Sequence, residues 1–301
     1  MPSRFHILAG LFLLISILCL TSPLLAIQKS KTVDANKSKT VSANPVLLLT
    51  RTTTRHEVRR FGYGGTVTLV GAPQGSIIVE GWSRSEVEVS ADVELHAESE
   101  DDLNQLATVN GFVFDEDTNH LSLLSTGTHD RIFMKRAAKD FPKRLLGLPW
   151  KIDYRLHVPA STDVEINAGR GPISLTGVEG AIRITATESE TQLSLTGGVV
   201  SVTIAAGNIG LAIPARSWRG AGAEVRLAVG NVTLELPAGF NGDIDADILR
   251  SGKIVNTYEG LEARERPGLT EQKIRARAGA GGASLRMTVG DGTLYIRKAG
   301  G

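Results

Sequence analysis

LAVGNVTLEL, residues 227–236, decides the fold, because copies of it occur elsewhere in the chain. The close copies are INAGRGPISL at 166–175 and MTVGDGTLYI at 287–296, and a looser copy is IAAGNIGLAI at 204–213. Apolar and other residues alternate on both sides of a shared Gly-polar pair. This pattern is typical of a strand, a tight turn and a second strand.

The spacing of the copies predicts units of about 20 residues. When the copies are aligned column for column, Gly230 and Gly290 occupy the same column and are three such units apart. In addition, ISLTG at 173–177 recurs one unit later as LSLTG at 193–197. Periods of this length are typical of solenoids, in which each unit buries its apolar row against its neighbours. We therefore expect an all-β chain, built as a β-solenoid or β-helix-like stack of strand-turn-strand units.

One segment departs from the strand pattern and predicts a short helix near 99–109. Leu103, Leu106 and Ala107 would share one helical face. Ser99 is suited to the N-cap position, and acidic residues follow it in the first turn.

The N-terminal residues have the layout of an export signal. Arg4 precedes an apolar run from Ile7 to Leu20, and Ala26 offers a small residue for cleavage. The run is short for a membrane-spanning helix, which needs roughly 20 apolar residues. We expect a signal peptide over 1–26 and a flexible linker over 27–45, with export to the periplasm or cell surface. A retained membrane anchor is the alternative.

The rest of the chain is expected to form one continuous domain over 46–298. An N-terminal β region, 46–158, would contain the helix and a basic insert at 129–151, and the repeats would occupy 159–298. The insert holds seven Lys or Arg against two Asp, interleaved with large apolar residues. It is either an amphipathic, surface-seeking segment or a long loop packed on the sheet edge. Its prolines and glycine favour the loop.

Charge and motifs exclude several functional classes. The formal net charge is +1, so no global field would attract nucleic acid or an anionic membrane. Cys19 is the one cysteine and lies in the expected signal, so the mature chain would have no thiol chemistry. The chain has no G-x-S-x-G elbow, phosphate loop or H-E-x-x-H motif. We expect no cofactor, no metal site and no catalytic residues.

Acidic residues leave two alternatives open. Asp243, Asp245 and Asp247 form a D-x-D-x-D run that could hold calcium, but it lacks the glycine and the glutamate of a calcium loop. Glutamate pairs on one face of a β-helix could cleave polysaccharides. These pairs would be Glu188 with Glu190, or Glu224 with Glu235. Solvated strand charges explain both features more simply.

Several segments resemble a known family. They are GSIIVEGWSRSEVEVSA at 75–91, YRLHVP at 154–159, the repeated G-x-I-x-L units and the closing VGDGTLYIRK at 289–298. Together they resemble exported bacterial β-strand-repeat proteins labelled "putative adhesin" or domain of unknown function. The resemblance spans roughly 60–298 and implies an elongated β-solenoid-like domain at the cell envelope, without catalytic residues. The chain departs from the family pattern at 129–151 and 249–281.

These features favour a non-enzymatic, adhesin-like or structural protein of the cell envelope that binds a surface polysaccharide or an envelope protein. The alternatives are a polysaccharide-acting β-helix enzyme and a membrane-anchored envelope regulator. Membrane contact is expected only if the N-terminal segment is uncleaved, and nucleic acid is not an expected partner. Candidate contacts are aromatic and basic residues outside the repeat columns: Trp82, Arg131, Lys135, Arg136, Trp150 and Trp218.

Overall fold

The computed structural model describes residues 48–300, so the expected signal peptide and linker lie outside the described residues. Strands make up most of this range, and the all-β prediction is confirmed. The strands are β1 (Leu49–Arg60), β2 (Thr66–Gln74), β3 (Ile77–Trp82), β4 (Glu86–Ala97), β5 (Gly111–Asp117), β6 (His120–Thr126), β7 (Trp150–Pro159), β8 (Asp163–Arg170), β9 (Ile173–Thr176), β10 (Ala181–Ser194), β11 (Gly197–Ala212), β12 (Arg219–Leu236), β13 (Gly242–Asn256), β14 (Leu261–Ala263), β15 (Lys273–Ala278) and β16 (Ser284–Lys298).

The helices are α1 (Glu100–Ala107), α2 (Arg131–Ala137) and a 3-10 turn at Lys143–Leu145. The helix predicted near 99–109 is α1, and Ser99 Oγ caps it by accepting a hydrogen bond from the Asp102 amide at 3.2 Å. The sequence predicted one helix, but α2 is a second one. It forms because Asp130 Oδ1 accepts hydrogen bonds from the amides of Ile132 and Phe133, at 2.8 and 3.0 Å. No helix within residues 48–300 is long and apolar enough to cross a membrane.

Long parallel strands form the centre of the fold. β10, β11, β12, β16 and β13 lie side by side in that order, and every pairing among them is parallel. β8 and β9 pair with the first and second halves of β10. Antiparallel strands flank this ladder: β1 and β4 extend one end and β15 and β14 the other. The strand order does not return on itself, so the sheet is not closed.

Each long strand buries apolar residues on both sides of a central kink. In β11, Val202 and Ile204 point into the core before the kink, and Ile209 and Leu211 do so after it. The buried positions therefore change from even to odd across Gly207, whose φ of 128° is open mainly to glycine. Both halves of the strand contribute to one hydrophobic core.

The Gly-polar pair was predicted to be a tight turn between two strands, and this prediction is wrong. The strand continues through the Gly-polar pair, so that β12 spans 18 residues and includes Gly230. The kink lets one strand change direction without reversing. Neighbouring strands can then continue their parallel pairing past it, as at Gly207 and Gly230.

The predicted alignment of the four copies is also wrong. The copies at 166–175 and 287–296 are shifted by two residues relative to those at 204–213 and 227–236. Leu227 pairs with Val289 and not with Met287, and Gly230 faces Gly292 and not Gly290. Side chains alternate across a strand with a period of two. A shift of two residues therefore keeps every apolar residue on the buried face, and the hydrophobic pattern cannot detect it.

The repeat period differs from the expected 20 residues. Ile166 pairs with Ile184, and Ile184 with Val202, so these rungs are 18 residues apart. From β11 to β12 the step is longer, because the chain makes an additional loop through Trp218. β16 inserts between β12 and β13, so spatial order departs from chain order at this end of the ladder.

Candidate functional site

A cleft of about 360 Å³ lies on the outer face of the parallel ladder, in the strand halves that follow the kink. Four strands, β10, β11, β12 and β16, contribute its side chains. We call it the polar cleft and define it by the residues that line its walls and floor: Gln192, Asn208, Gly210, Asn231, Thr233, Glu235, Tyr295 and Arg297. These are mainly outward positions of strands whose other face is buried, and alternation therefore places them on one surface.

One wall of the polar cleft is a row of linked side chains that crosses the strands. Asn208 donates from Nδ2 to both carboxylate oxygens of Glu190, at 2.9 and 3.0 Å. Its Oδ1 accepts from the backbone amide and Nδ2 of Asn231, both at 3.1 Å. Asn231 Oδ1 in turn accepts from the Thr293 amide at 3.0 Å. These bonds fix the orientation of both amides before any ligand arrives.

An ion pair forms the opposite wall. Arg297 donates to Glu235 Oε1 from Nε at 3.0 Å and from Nη2 at 2.6 Å. Because the two charges compensate each other, this wall offers oriented polar groups with little net charge.

The floor is one cross-strand row of four register partners: Gln192, Gly210, Thr233 and Tyr295. Adjacent strands lie roughly 4.8 Å apart, so this row spans about 14 Å. Gly210 has no side chain and creates the depression, over which the amide of Gln192 lies. Tyr295 is 40% exposed. Among residues 48–300, the Gln192, Thr233 and Tyr295 side chains have no protein hydrogen-bond partner, unlike the side chains of the two walls.

This arrangement suits a ligand that carries many hydroxyl groups. The free amide and hydroxyl groups can both donate and accept hydrogen bonds. The Tyr295 ring offers an apolar face with a polar tip. The walls hold their geometry through internal bonds, so binding need not order them first.

A second cleft, of about 610 Å³, lies before the kink on the same ladder. Its lining is mainly small and apolar or threonine side chains, including Thr185, Thr203, Ala205 and Ala228. It is larger than the polar cleft, and its two charged members, Arg226 and Arg250, are already paired with Glu224 and Asp291. The polar cleft is therefore the stronger candidate for specific recognition.

The six contact residues predicted from the sequence differ in how far they are exposed to solvent. Trp150 and Trp218 are 7% and 6% exposed, and Trp218 donates from Nε1 to the Gly198 carbonyl oxygen at 3.0 Å. Burial of their large apolar surface removes these two from any exposed contact face. Trp82 remains half-buried, with its ring stacked on His157 at 5.0 Å and the Arg84 guanidinium 4.8 Å from its centre.

The other three residues, Arg131, Lys135 and Arg136, are exposed and lie together on α2. None of the six lines the polar cleft. Sequence reasoning missed its floor, because Gln192, Gly210, Thr233 and Tyr295 come from four strands. One signal was available: Asn208 and Asn231 follow the glycine in two copies of the repeat.

The D-x-D-x-D run is a charged outer face whose members are paired with arginines. The side chains of Asp243, Asp245 and Asp247 lie on one face of β13 and contact Arg277, Arg264 and Arg275, respectively. The hydrogen bond from Arg277 Nε to Asp243, at 2.9 Å, holds the pKa of that carboxyl below its usual value. Within residues 48–300 no group of His, Cys, Asp and Glu is arranged to hold a metal ion.

The acidic residues considered as catalytic pairs also have partners. Glu188 lies 3.3 Å from Arg170, and Glu224 lies 2.5 Å from Arg226. Of the other two, Glu190 accepts hydrogen bonds from Asn208, and Glu235 is paired with Arg297 in the wall of the polar cleft. Positive and negative charges thus alternate over this face, which argues against a catalytic acid pair.

Comparison with solved structures finds proteins of the same label as the family that the sequence resembles. A "putative cell adhesion protein" from Clostridium sporogenes is 10% identical, with 83% of this chain and 100% of that chain covered and a TM-score of 0.43. A "putative adhesin" from Bacteroides fragilis is 8% identical, with 82% and 97% covered and a TM-score of 0.37. Both names describe adhesins and not enzymes. No protein-family model and no curated protein matches the sequence.

Proposed function

We propose that the protein is a non-enzymatic, adhesin-like module of the cell envelope that binds an extended, uncharged polysaccharide in the polar cleft. The observation that carries this proposal is the floor row. Gln192, Thr233 and Tyr295 present polar groups in one row beside a depression at Gly210, and these groups have no partner in the described part of the chain, 48–300. A row of about 14 Å fits a segment of a polymer better than a single small molecule.

The walls support an uncharged ligand in particular. Glu235 and Arg297 neutralise each other, and Glu190 accepts from Asn208. A strongly anionic polymer would meet the Glu190 carboxylate, which has no cationic partner among residues 48–300, and would have to compete with Glu235 for Arg297. A neutral sugar can instead hydrogen-bond to the outward sides of the same groups.

The proposal includes a solenoid interpretation of the ladder. Each kinked strand would form one coil, with its two halves in two layers that share a core. The support is the 18-residue parallel register from β8 and β9 to β10 and then to β11. A polymer crossing several coils would contact equivalent positions repeatedly, as concave repeat surfaces do in other stacked proteins.

The test is binding of the full chain to neutral polysaccharides, with a β-glucan and a galactan as probes and polygalacturonate as the charged comparison. Affinity electrophoresis or calorimetry would measure the dissociation constant. The ring of Tyr295 is the largest apolar contact surface of the floor, so Tyr295→Ala is expected to weaken binding about tenfold, as loss of an aromatic anchor does at other interfaces. Tyr63→Ala is the matched control, because Tyr63 is 92% exposed and lies outside the polar cleft.

The proposal fails if both tyrosine variants bind as the wild type does, or if polygalacturonate binds more tightly than the neutral polymers. Gln192→Ala provides a second variant on the same floor and should weaken binding in parallel with Tyr295→Ala. The export component is tested by fractionating the native host and measuring the intact mass. A species that begins near Ile27 agrees with export and cleavage, whereas one that retains Met1 contradicts cleavage.

A further inference from the structure

The basic insert folds around a separate cleft of about 340 Å³. Its floor is apolar and is formed by Met134, Phe141 and Leu146. Four cationic side chains line the same cleft: Arg131, Lys135, Lys139 and Lys143. We call this surface the basic cleft. Because the chain as a whole is nearly neutral, this local concentration of one sign of charge distinguishes it from the rest of the surface.

The cations of the basic cleft differ from their neighbours in their ion pairing. Within residues 48–300, none of the four makes an ion pair, whereas the neighbouring Arg144 binds Asp102 at 2.5 and 2.7 Å. Of the two acids in the insert, Asp130 is occupied as the cap of α2. Four uncompensated charges around one cleft repel one another, and an anion seated there would relieve that repulsion.

Apolar side chains beside these cations are exposed to solvent. Ile132 on α2 is 65% exposed and Leu146 is 41% exposed. A solvated loop would be expected to bury such residues or to replace them with polar ones. Leu146 lines the basic cleft together with Lys143, and Ile132 follows Arg131 on α2, so this part of the surface combines apolar contact area with positive charge.

We propose that the basic cleft, with Ile132 and Leu146, docks onto the surface of a lipid bilayer that carries anionic lipids. Charge complementarity selects the occupant: the cations fit phosphate headgroups, and the exposed apolar side chains fit the boundary between headgroups and acyl chains. A nucleic acid or an acidic polysaccharide would satisfy the charges but leave the apolar residues in water. This inference goes beyond polysaccharide binding and uses none of the residues of the polar cleft.

A local probe separates this contact from any effect of the N-terminal apolar run. The full chain carries Cys19→Ser and Ile132→Cys, and the new cysteine is labelled with an environment-sensitive fluorophore. Vesicles of phosphatidylcholine alone are compared with vesicles of phosphatidylcholine and phosphatidylglycerol. We expect a blue shift of the label with the anionic vesicles only, and its loss as the salt concentration rises.

Two double variants of equal net charge test the role of the cations. Lys135→Gln with Lys139→Gln removes two charges from the basic cleft. Each basic residue near an anionic surface contributes about 1 kcal/mol, so the pair should weaken vesicle binding about 30-fold. Arg155→Gln with Arg183→Gln removes two exposed charges from the sheet face and should have little effect.

Three outcomes would overturn the proposal. The first is equal weakening by both double variants, which would show a nonspecific charge effect. The second is a blue shift with phosphatidylcholine alone. The third is one-to-one saturation of the label by a soluble short-chain phosphatidylglycerol without vesicle binding, which would make the basic cleft a site for a single lipid molecule.

Discussion

Gly292 packs directly against the carbonyl group of Gly230 in the neighbouring strand, where a side chain on Gly292 would overlap that carbonyl. Gly230 in turn packs against Gly207 in the same way. All three have a φ between 128° and 145°, a region that side chains strongly disfavour. This column of glycines lets neighbouring strands kink together without losing their parallel pairing.

Substitution within this column should be severely destabilising. Gly230→Ala combines a disfavoured φ with overlap against backbone, which side-chain movement cannot relieve. We expect the free energy of unfolding to fall by about 2–4 kcal/mol in urea or thermal denaturation. Gly111→Ala is the control, because a Cβ there meets open space. A loss of similar size in both variants would contradict the role of the column.

The two tryptophans Trp218 and Trp82 should respond differently to truncation. Trp218→Ala removes a buried ring and its hydrogen bond to Gly198, so it should cost about 3–5 kcal/mol of unfolding free energy. Trp82→Ala loses stacking on His157 and a hydrogen bond to the Glu86 carbonyl oxygen, but its ring is only half-buried, so it should cost about 1–2 kcal/mol. Chemical denaturation measures both. If Trp218→Ala were as mild as Trp82→Ala, Trp218 would not be a core residue.

The buried His129 should make the folded protein less stable as the pH falls from neutral to mildly acidic. Burial lowers the pKa of His129 from its ordinary value of 6.5, and its ring lies 5.3 Å from that of Trp150. Above pH 6.5 the imidazole is neutral in both states and has no effect. As the pH falls below this value the unfolded chain takes up the proton first, so unfolding becomes easier. His129→Gln should flatten this part of a melting-temperature profile, and an unchanged slope would contradict the prediction.

Protonation of Asp102, which is paired with Arg144, should lower the stability of the folded protein a second time at more acidic pH. The hydrogen bond from Arg144 holds the pKa of Asp102 below its ordinary value of 3.8. Its contribution to stability is therefore complete above that value and is lost as the pH falls through the lower folded pKa. Arg144→Gln should lower stability at neutral pH and reduce this acid dependence. Arg136→Gln is the control, because Arg136 is exposed and has no acidic partner within residues 48–300.

Alternation predicted the strands and the core, because burial of one face imposes a period of two residues. The helix was predictable because Ser99 and its acidic neighbours form a local capping pattern. The register between the strands could not be predicted, because the two-residue shift between Gly290 and Gly292 leaves the same residues on the buried face. Insertion of β16 between β12 and β13 also leaves no local trace, because it depends on pairing between distant segments.

The polar cleft was unpredictable for a related reason. Gln192, Gly210, Thr233 and Tyr295 are ordinary outward residues in four separate strands, and nothing in their local sequence marks them. Their common row exists only once the register is known. Conversely, Trp150 and Trp218 were conspicuous in the sequence, but large aromatic rings gain more by burial than by exposure.

The place of β16 has a consequence for the order in which the strands can pair during folding. β12 ends at Leu236, yet its partner strand lies 62 residues further along the chain and ends at Lys298. Until that segment is in place, one edge of β12 and one edge of β13 lack the partner strand that they have in the final sheet. Exposed strand edges template association between chains. The interval before β16 docks is therefore the stage of folding at which this chain is most open to aggregation.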